Sequence, residues 1–130
     1  MGALNDGTEI QQRSGAVFDR EYTAKLAKVH EDNGFTRVLF AYSSGSPDPA
    51  QAAAFVAANT QSLGLLVAHR PNVSAPTFAA KTYATLDHIS DGRVAVHFIT
   101  CGSTADQAAE GDHLSKDERY ARTGEYLQII

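Results

Sequence analysis

The chain has 130 residues, 43% of them hydrophobic and 20% charged, with a formal net charge of −4. That is enough chain for one domain with its own core. It offers no basic field for nucleic acid, no apolar run near the ~20 residues of a membrane span, and, with Cys101 as its single cysteine, no internal disulfide. The opening "MGALNDGTEIQQRSG" lacks the basic start and apolar centre of a secretion signal, so the cytoplasm is the expected compartment.

Residues 1–17 are polar and read as a loop or tail. Asp19 to Asn33 reads as a helix, with Tyr22, Leu26 and Val29 on one face and Gly34 as its stop. "TRVLFAY" (Thr36 to Tyr42) is a short apolar strand. "SSGSPDP" ends with Asp48 as a helix cap and Pro49 at the first helical position, and an alanine-rich helix runs to about Gln61. "LGLLVA" is a second strand, running into His69-Arg70-Pro71. A third helix begins at Pro76 and carries Phe78, Thr82, Leu86 and Ile89 at helical spacing. Asp91-Gly92 turns the chain into a third strand, "RVAVHFIT". A long loop follows, with a helical turn at Ala105 to Ala109. Ser115-Lys116-Asp117-Glu118 fits a capping box, so a last helix starts there and runs to the C-terminus.

Helices alternating with strands predict repeated β/α winding around a parallel sheet. The strands are apolar without strict alternation, the pattern expected when both faces of a sheet are covered. Three parallel strands cannot close a barrel and leave two bare edges. The expectation is therefore a small open sheet or part of a larger unit. Gly92 permits a tight helix end, and Asp87 and Arg93 are placed to tie that end to the next strand, a folding role.

Three pieces, "AKVHEDNGFTRVLF", "LGLLVAHRPNVSAPTFAAKTYATLDHISDGRVAVHFITCGS" and "DERYARTGEYLQII", carry a family resemblance. The most specific is the run Pro76, Ala79, Ala80, Lys81, Ala84, Thr85, Leu86, Asp87, Ser90, Gly92, Arg93 and Thr100. From Phe18 to Ile130 the chain resembles the bacterial luciferase-like, flavin-dependent monooxygenases, most of all their alkanesulfonate branch. The resemblance implies an α/β fold, part of a (β/α)8 TIM barrel, with residues 1–130 as a single partial domain of about three consecutive β/α units with parallel strands. The whole barrel takes roughly 250 residues.

In such barrels the chemistry sits at the C-terminal ends of the strands. Here these ends are Ala41-Tyr42, Ala68-His69-Arg70 and Thr100-Cys101-Gly102. The resemblance implies FMN as cofactor. Ala68 would let the flavin ring approach the backbone, and Thr100 would bond its ribityl chain or phosphate; otherwise Thr100 is an ordinary strand-end threonine. Lys116 and Tyr120, one turn apart at a helix start, match the family's phosphate-contacting pair, with lysine in place of a histidine. Ser46 falls where the alkanesulfonate branch often has a cysteine near the flavin, and also fits a plain turn serine. His69 and Arg70 would hold an anionic substrate headgroup such as a sulfonate, arginine offering a bidentate fork; Arg70-Pro71 also fits a structural role. His97 reads as a core histidine, Cys101 as a small wall residue, and no spacing supports a metal.

The implied activity is a two-component monooxygenase. A separate flavin reductase supplies reduced FMN, O2 is the oxidant, and an alkanesulfonate or related small organosulfur compound is the substrate. A deazaflavin-dependent oxidoreductase of the same superfamily is the alternative enzyme. A catalytically silent half-barrel that self-associates is the alternative of another class, and a homo-oligomer is expected in either case. The catalytic residues are not read from this chain.

Overall fold

The computed structural model describes residues 18–100 and 102–130. The elements, in chain order, are α1 (Arg20–Asp32), β1 (Arg37–Phe40), α2 (Pro49–Asn59), β2 (Gly64–His69), α3 (Pro76–Ile89), β3 (Val94–Phe98), α4 (Thr104–Ala109) and α5 (Lys116–Ile129). Their starts are chemically marked. The side chains of Asp19, Asp48 and Ser115 accept backbone N–H bonds at the N-caps of α1, α2 and α5, and α5 has the full capping box with Glu118. Pro49 and Pro76 open α2 and α3. Gly34 and Gly92 close α1 and α3 with φ of 78° and 79°, a conformation glycine adopts at no steric cost.

The three strands form one parallel sheet in the order β1-β2-β3. Arg37 pairs with Gly64, Leu65 with Val94 and His69 with Phe98. Residue parity then divides the sheet. Val38, Phe40, Leu65 and Val67 lie on one face and join Ala53 and Val56 of α2, and Ala79 and Leu86 of α3, in a single core. Burying an aliphatic or aromatic side chain there stabilises the fold by roughly 1.5–3 kcal/mol.

The other face differs from the expectation that both would be covered. Leu39 is 46% exposed and His97 is exposed, although Ala68 on the same face is buried. The helical residues buried in the core all belong to the first face. The unbroken apolar strands thus serve a sheet covered on one side among the described residues.

Two helix faces also differ from those expected. In α1 the buried residues are Thr23 and Ala27, while Val29 is 49% exposed. In α3 they are Ala79, Tyr83 and Leu86, with Phe78 and Ile89 outside. In α1 small residues point inward, which lets the helix axis approach its neighbours closely; in α3 Leu86 is buried as expected, with Ala79 and Tyr83 beside it in place of Phe78 and Ile89. The helical turn expected at Ala105 to Ala109 is α4, starting one residue earlier with Ser103 as its cap.

The N-terminal end of the sheet is tied by backbone solvation. The Arg93 guanidinium donates to the carbonyls of Ser90 (2.6 Å), Ala57 (2.9 Å), Leu63 (3.0 Å) and Thr60 (3.2 Å), and to the Thr60 hydroxyl (3.0 Å). Asp87 accepts from the Val94 N–H. Glu31 accepts the backbone N–H groups of Gln61, Ser62 and Leu63 through one carboxylate oxygen. The bend from Thr60 to Leu63 therefore gives its carbonyls to a cation and its amides to an anion.

Candidate functional site at the C-terminal strand ends

The chain leaves β1 through Tyr42 and Ser44, and β2 through Arg70 and Asn72. These four residues converge on a carboxylate from a different element, Glu110 at the C-cap of α4. Tyr42 Oη and Ser44 Oγ each donate to Oε1 at 2.8 Å. Arg70 Nη1 and Asn72 Nδ2 donate to Oε2 at 3.1 and 3.2 Å. Arg70 is only 4% exposed. Its guanidinium also lies 3.6 Å from Asp106 and stacks 4.7 Å above the Tyr42 ring, a cation–π contact. Burial, then the Glu110 hydrogen bond, pushes the Tyr42 hydroxyl up to about 12. Desolvation raises the Glu110 carboxyl, but its four donors outweigh that and hold it below the usual value. Beside Glu110 opens a cleft of about 340 Å³.

His69 points the other way. It shares the helix-facing side with Leu65 and Val67, is 7% exposed, and its Nε2 lies 2.8 Å from the Tyr126 hydroxyl of α5. Tyr83 and Phe98 meet its ring edge-on at 5.4 and 5.8 Å. Desolvation lowers its pKa, so the imidazole is neutral at pH 7. Two residues adjacent in sequence thus serve opposite sides of the sheet, and only Arg70 reaches the strand-end cluster.

Thr100 is half-buried and donates to Thr123 Oγ1 at 3.1 Å, joining the end of β3 to α5. Lys116 and Tyr120 are exposed on the first turns of α5. The same first turn carries Asp117 and Glu118. Ser46 is exposed and closes its own turn, accepting from the Ser43 N–H and donating to the Ser43 carbonyl. Ala68 lies in register with His97. Cys101 lies outside the described residues. The structure therefore brings Arg70 and the β1 end together and links Thr100 to α5, while Ser46 and His69 are engaged elsewhere.

Glu110, Ser44 and Asn72 are cluster members the sequence did not single out. Below them Asp112, 5% exposed, ties the start of α5 by ion pairs with Arg119 and Arg122. The sole sequence signal is a Glu-Gly-Asp run after a short helix, which is too common to mark a site. Among the described residues no group of three or more His, Cys, Asp and Glu is placed to hold a metal ion. No helix among them is long and apolar enough to cross a membrane.

Parallel strands in chain order, with helices on one face and a polar cluster at the C-terminal strand ends, define part of a β/α barrel of the enzyme type. The sequence pattern of the luciferase-like monooxygenases matches residues 3–130, and the chain belongs to that family. Solved structures agree on the fold. EDTA monooxygenase (EmoA) from Chelativorans sp. BNC1 superposes with a TM-score of 0.78 at 23% identity, over 85% of this chain and 29% of that one. Monooxygenase RslO1 from Streptomyces bottropensis gives 0.72 at 30% identity, over 85% and 35%. A riboflavin lyase (RcaE), solved with modified FMN and its substrate riboflavin, gives 0.74 at 26% identity, over 85% and 30%. The chain thus spans about a third of the length of these relatives.

Proposed function

We propose that this chain forms the part of an FMN-dependent, two-component monooxygenase that receives the flavin at its C-terminal strand ends. The observation that carries this reading is the three-stranded parallel sheet in chain order, within a chain matched to the family along nearly its whole length. Its partners would be a flavin reductase, O2 and a small substrate, in the cytoplasm. An alkanesulfonate or another small organosulfur compound is the proposed substrate, and Arg70 the proposed residue for its anionic group.

The residues suit the phosphate end of FMN. α5 is a 14-residue helix whose first N–H groups favour an anion, and Lys116 stands exposed there. Asp117 and Glu118 oppose a phosphate in the same turn, so binding depends on the lysine. Thr100 and Tyr120 would add hydroxyls, and Ala68, small but 1% exposed, would lie beneath a flat ring; Ser46, occupied within its own turn, would contribute at the margin. When bound, the flavin would supply the redox chemistry, and the protein would place it and exclude water. His69 would act indirectly, by fixing α5 through Tyr126.

Fluorescence titration of flavin tests this. FMN is expected to bind better than riboflavin and more weakly at high salt, since exposed charges are screened within about 10 Å at 0.1 M salt. Lys116→Ala removes a charge-assisted bond of roughly 1.5–3 kcal/mol, a loss of about ten- to hundredfold. Equal binding of FMN and riboflavin, unchanged by Lys116→Ala, would overturn the phosphate assignment. Oxygen consumption with a reductase separates a monooxygenase from a deazaflavin enzyme. A second reading, self-association, is favoured by the 46% exposed Leu39 on the open face; apolar surface of that kind is stabilised by a partner.

A further inference from the structure

We propose that Glu110 is the chain's own occupant of an oxyanion site, and that the segment 102–112 is a displaceable plug: when it lifts, Tyr42, Ser44, Arg70 and Asn72 receive the headgroup of a small external oxyanion. The inference rests on the reading of Arg70 as an anion-binding residue and is independent of the flavin phosphate assignment.

Four donors meet a single carboxylate here, all of them from the ends of two neighbouring strands. Their acceptor arrives from a separate element. The four are thus a preformed donor set, one of them a buried guanidinium that requires a counter-anion. A carboxylate headgroup would offer these donors the same two oxygens as Glu110, and a tetrahedral sulfonate two of its three.

The plug is held by polar contacts: this cluster, the Arg70–Asp106 ion pair and the Ser44 hydroxyl on the Asp106 carbonyl, with Asp112 anchoring its far end to α5 through Arg119 and Arg122. α4 has six residues, and its one buried residue is polar, Gln107 at 1% exposure. Among the described residues, neither amide atom of Gln107 has a hydrogen-bond partner, and Arg70 Nε has none. The backbone of Gly102 runs between these two side chains: a side-chain carbon there would stand 3.2 Å from Arg70 Nη2 and 3.9 Å from Gln107 Nε2. Buried polar atoms without partners disfavour the closed arrangement. Gly111, with φ of 81°, gives the segment a pivot beside Glu110, and the adjoining cleft, walled by Asn72, Glu110 and Arg122, gives an incoming anion its approach. Because Glu110 is tethered, its effective concentration is high, and an external anion competes at a disadvantage until the glutamate is removed.

The test is methanesulfonate binding by calorimetry to the wild-type chain, Glu110→Ala and the double variant Glu110→Ala/Arg70→Gln. Glu110→Ala is expected to bind at least tenfold more tightly than wild type, and the double variant to lose that gain. Inorganic phosphate, FMN and riboflavin as competitors identify the source of the headgroup. Displacement by FMN and not by riboflavin assigns the site to a phosphate ester; resistance to both assigns it to the substrate. In the wild type, hydrogen exchange in residues 102–112 is expected to quicken in methanesulfonate relative to chloride at equal ionic strength. Equal affinity of wild type and Glu110→Ala overturns the proposal. Should Glu110→Ala not fold, unchanged exchange in the wild type overturns it. The Lys116→Ala flavin titration is unaffected by either result, so the two readings fail separately.

Discussion

Arg93 and Arg70 sit at opposite ends of one sheet and are held in contrasting ways. Arg93 spreads its charge over four backbone carbonyls and a hydroxyl. Those acceptors are neutral and come from the end of α2, the bend after it and the C-cap of α3. Arg70 faces two carboxylates and an aromatic ring, with Nε left over among the described residues. A cation solvated by backbone dipoles is part of the frame: its acceptors cannot leave without unfolding the bend. A cation held by side-chain carboxylates can exchange one anion for another. The contrast separates the stabilising end of a β/α unit from the end that handles ligands, within a chain of this size.

Breaking the frame should cost most. Arg93→Ala strands several carbonyls at once, and we expect a loss on the order of 3 kcal/mol in urea unfolding, with Arg93→Lys recovering little because one ammonium cannot reach acceptors spread over a fork. A loss under half that size would mean water replaces the guanidinium. Acid should then expose the other half of the frame. Hydrogen bonds from the Ser62 N–H, then from Lys28, hold the Glu31 carboxyl at about 2, below its ordinary 4.5. A depressed carboxyl stabilises the fold above its unfolded value, and that contribution is lost as pH falls through the folded value. The stability gap between wild type and Glu31→Gln should therefore be full at pH 7 and close between pH 4.5 and about 2; a gap that persists at pH 2 would argue against the carboxylate's role.

Tyr126→Phe removes the partner of His69, for an expected loss of about 1 kcal/mol. It should also raise FMN dissociation if α5 is positioned through that bond; unchanged flavin affinity would confine Tyr126 to packing. Smallest of all, Leu39→Ser on the open face should change stability of the monomer by less than about 0.5 kcal/mol and reduce self-association in light scattering.

The frame was largely legible in the sequence. Proline at a first helical position, an aspartate before it, a glycine at a helix end and the Ser115 capping box are local signals, and each marks a boundary in the structure. Arg93 was read as tying helix to strand, and its bond to the Ser90 carbonyl does so, but its acceptors at Ala57, Thr60 and Leu63, 30 or more residues upstream, follow from chain winding and leave no trace in spacing. The same holds at the other end. Arg70 was recognised as a cation suited to an anion, whereas Glu110, 40 residues later, has no periodic or motif relation to it. The sidedness of His69 was available from its parity with Leu65 and Val67; the strand's unbroken apolarity hid the alternation. The burial face of α1 escaped because alanine and threonine carry weak hydrophobic signals yet occupy the closest contacts; in α3 Leu86 was found, but Tyr83 and Ala79 share its face while Phe78 and Ile89 lie outside.

The order β1-β2-β3 has a kinetic consequence. Each strand pairs with the one made just before it, so every sheet contact closes over a single intervening helix, and loop-closure entropy stays modest. Folding of such a topology can proceed in the direction of synthesis, β2 docking on β1 while α3 is still being made, and β3 adding afterwards. Arg93 then arrives after the bend it grips, so its guanidinium closes the N-terminal end of the sheet only once the third unit has been made.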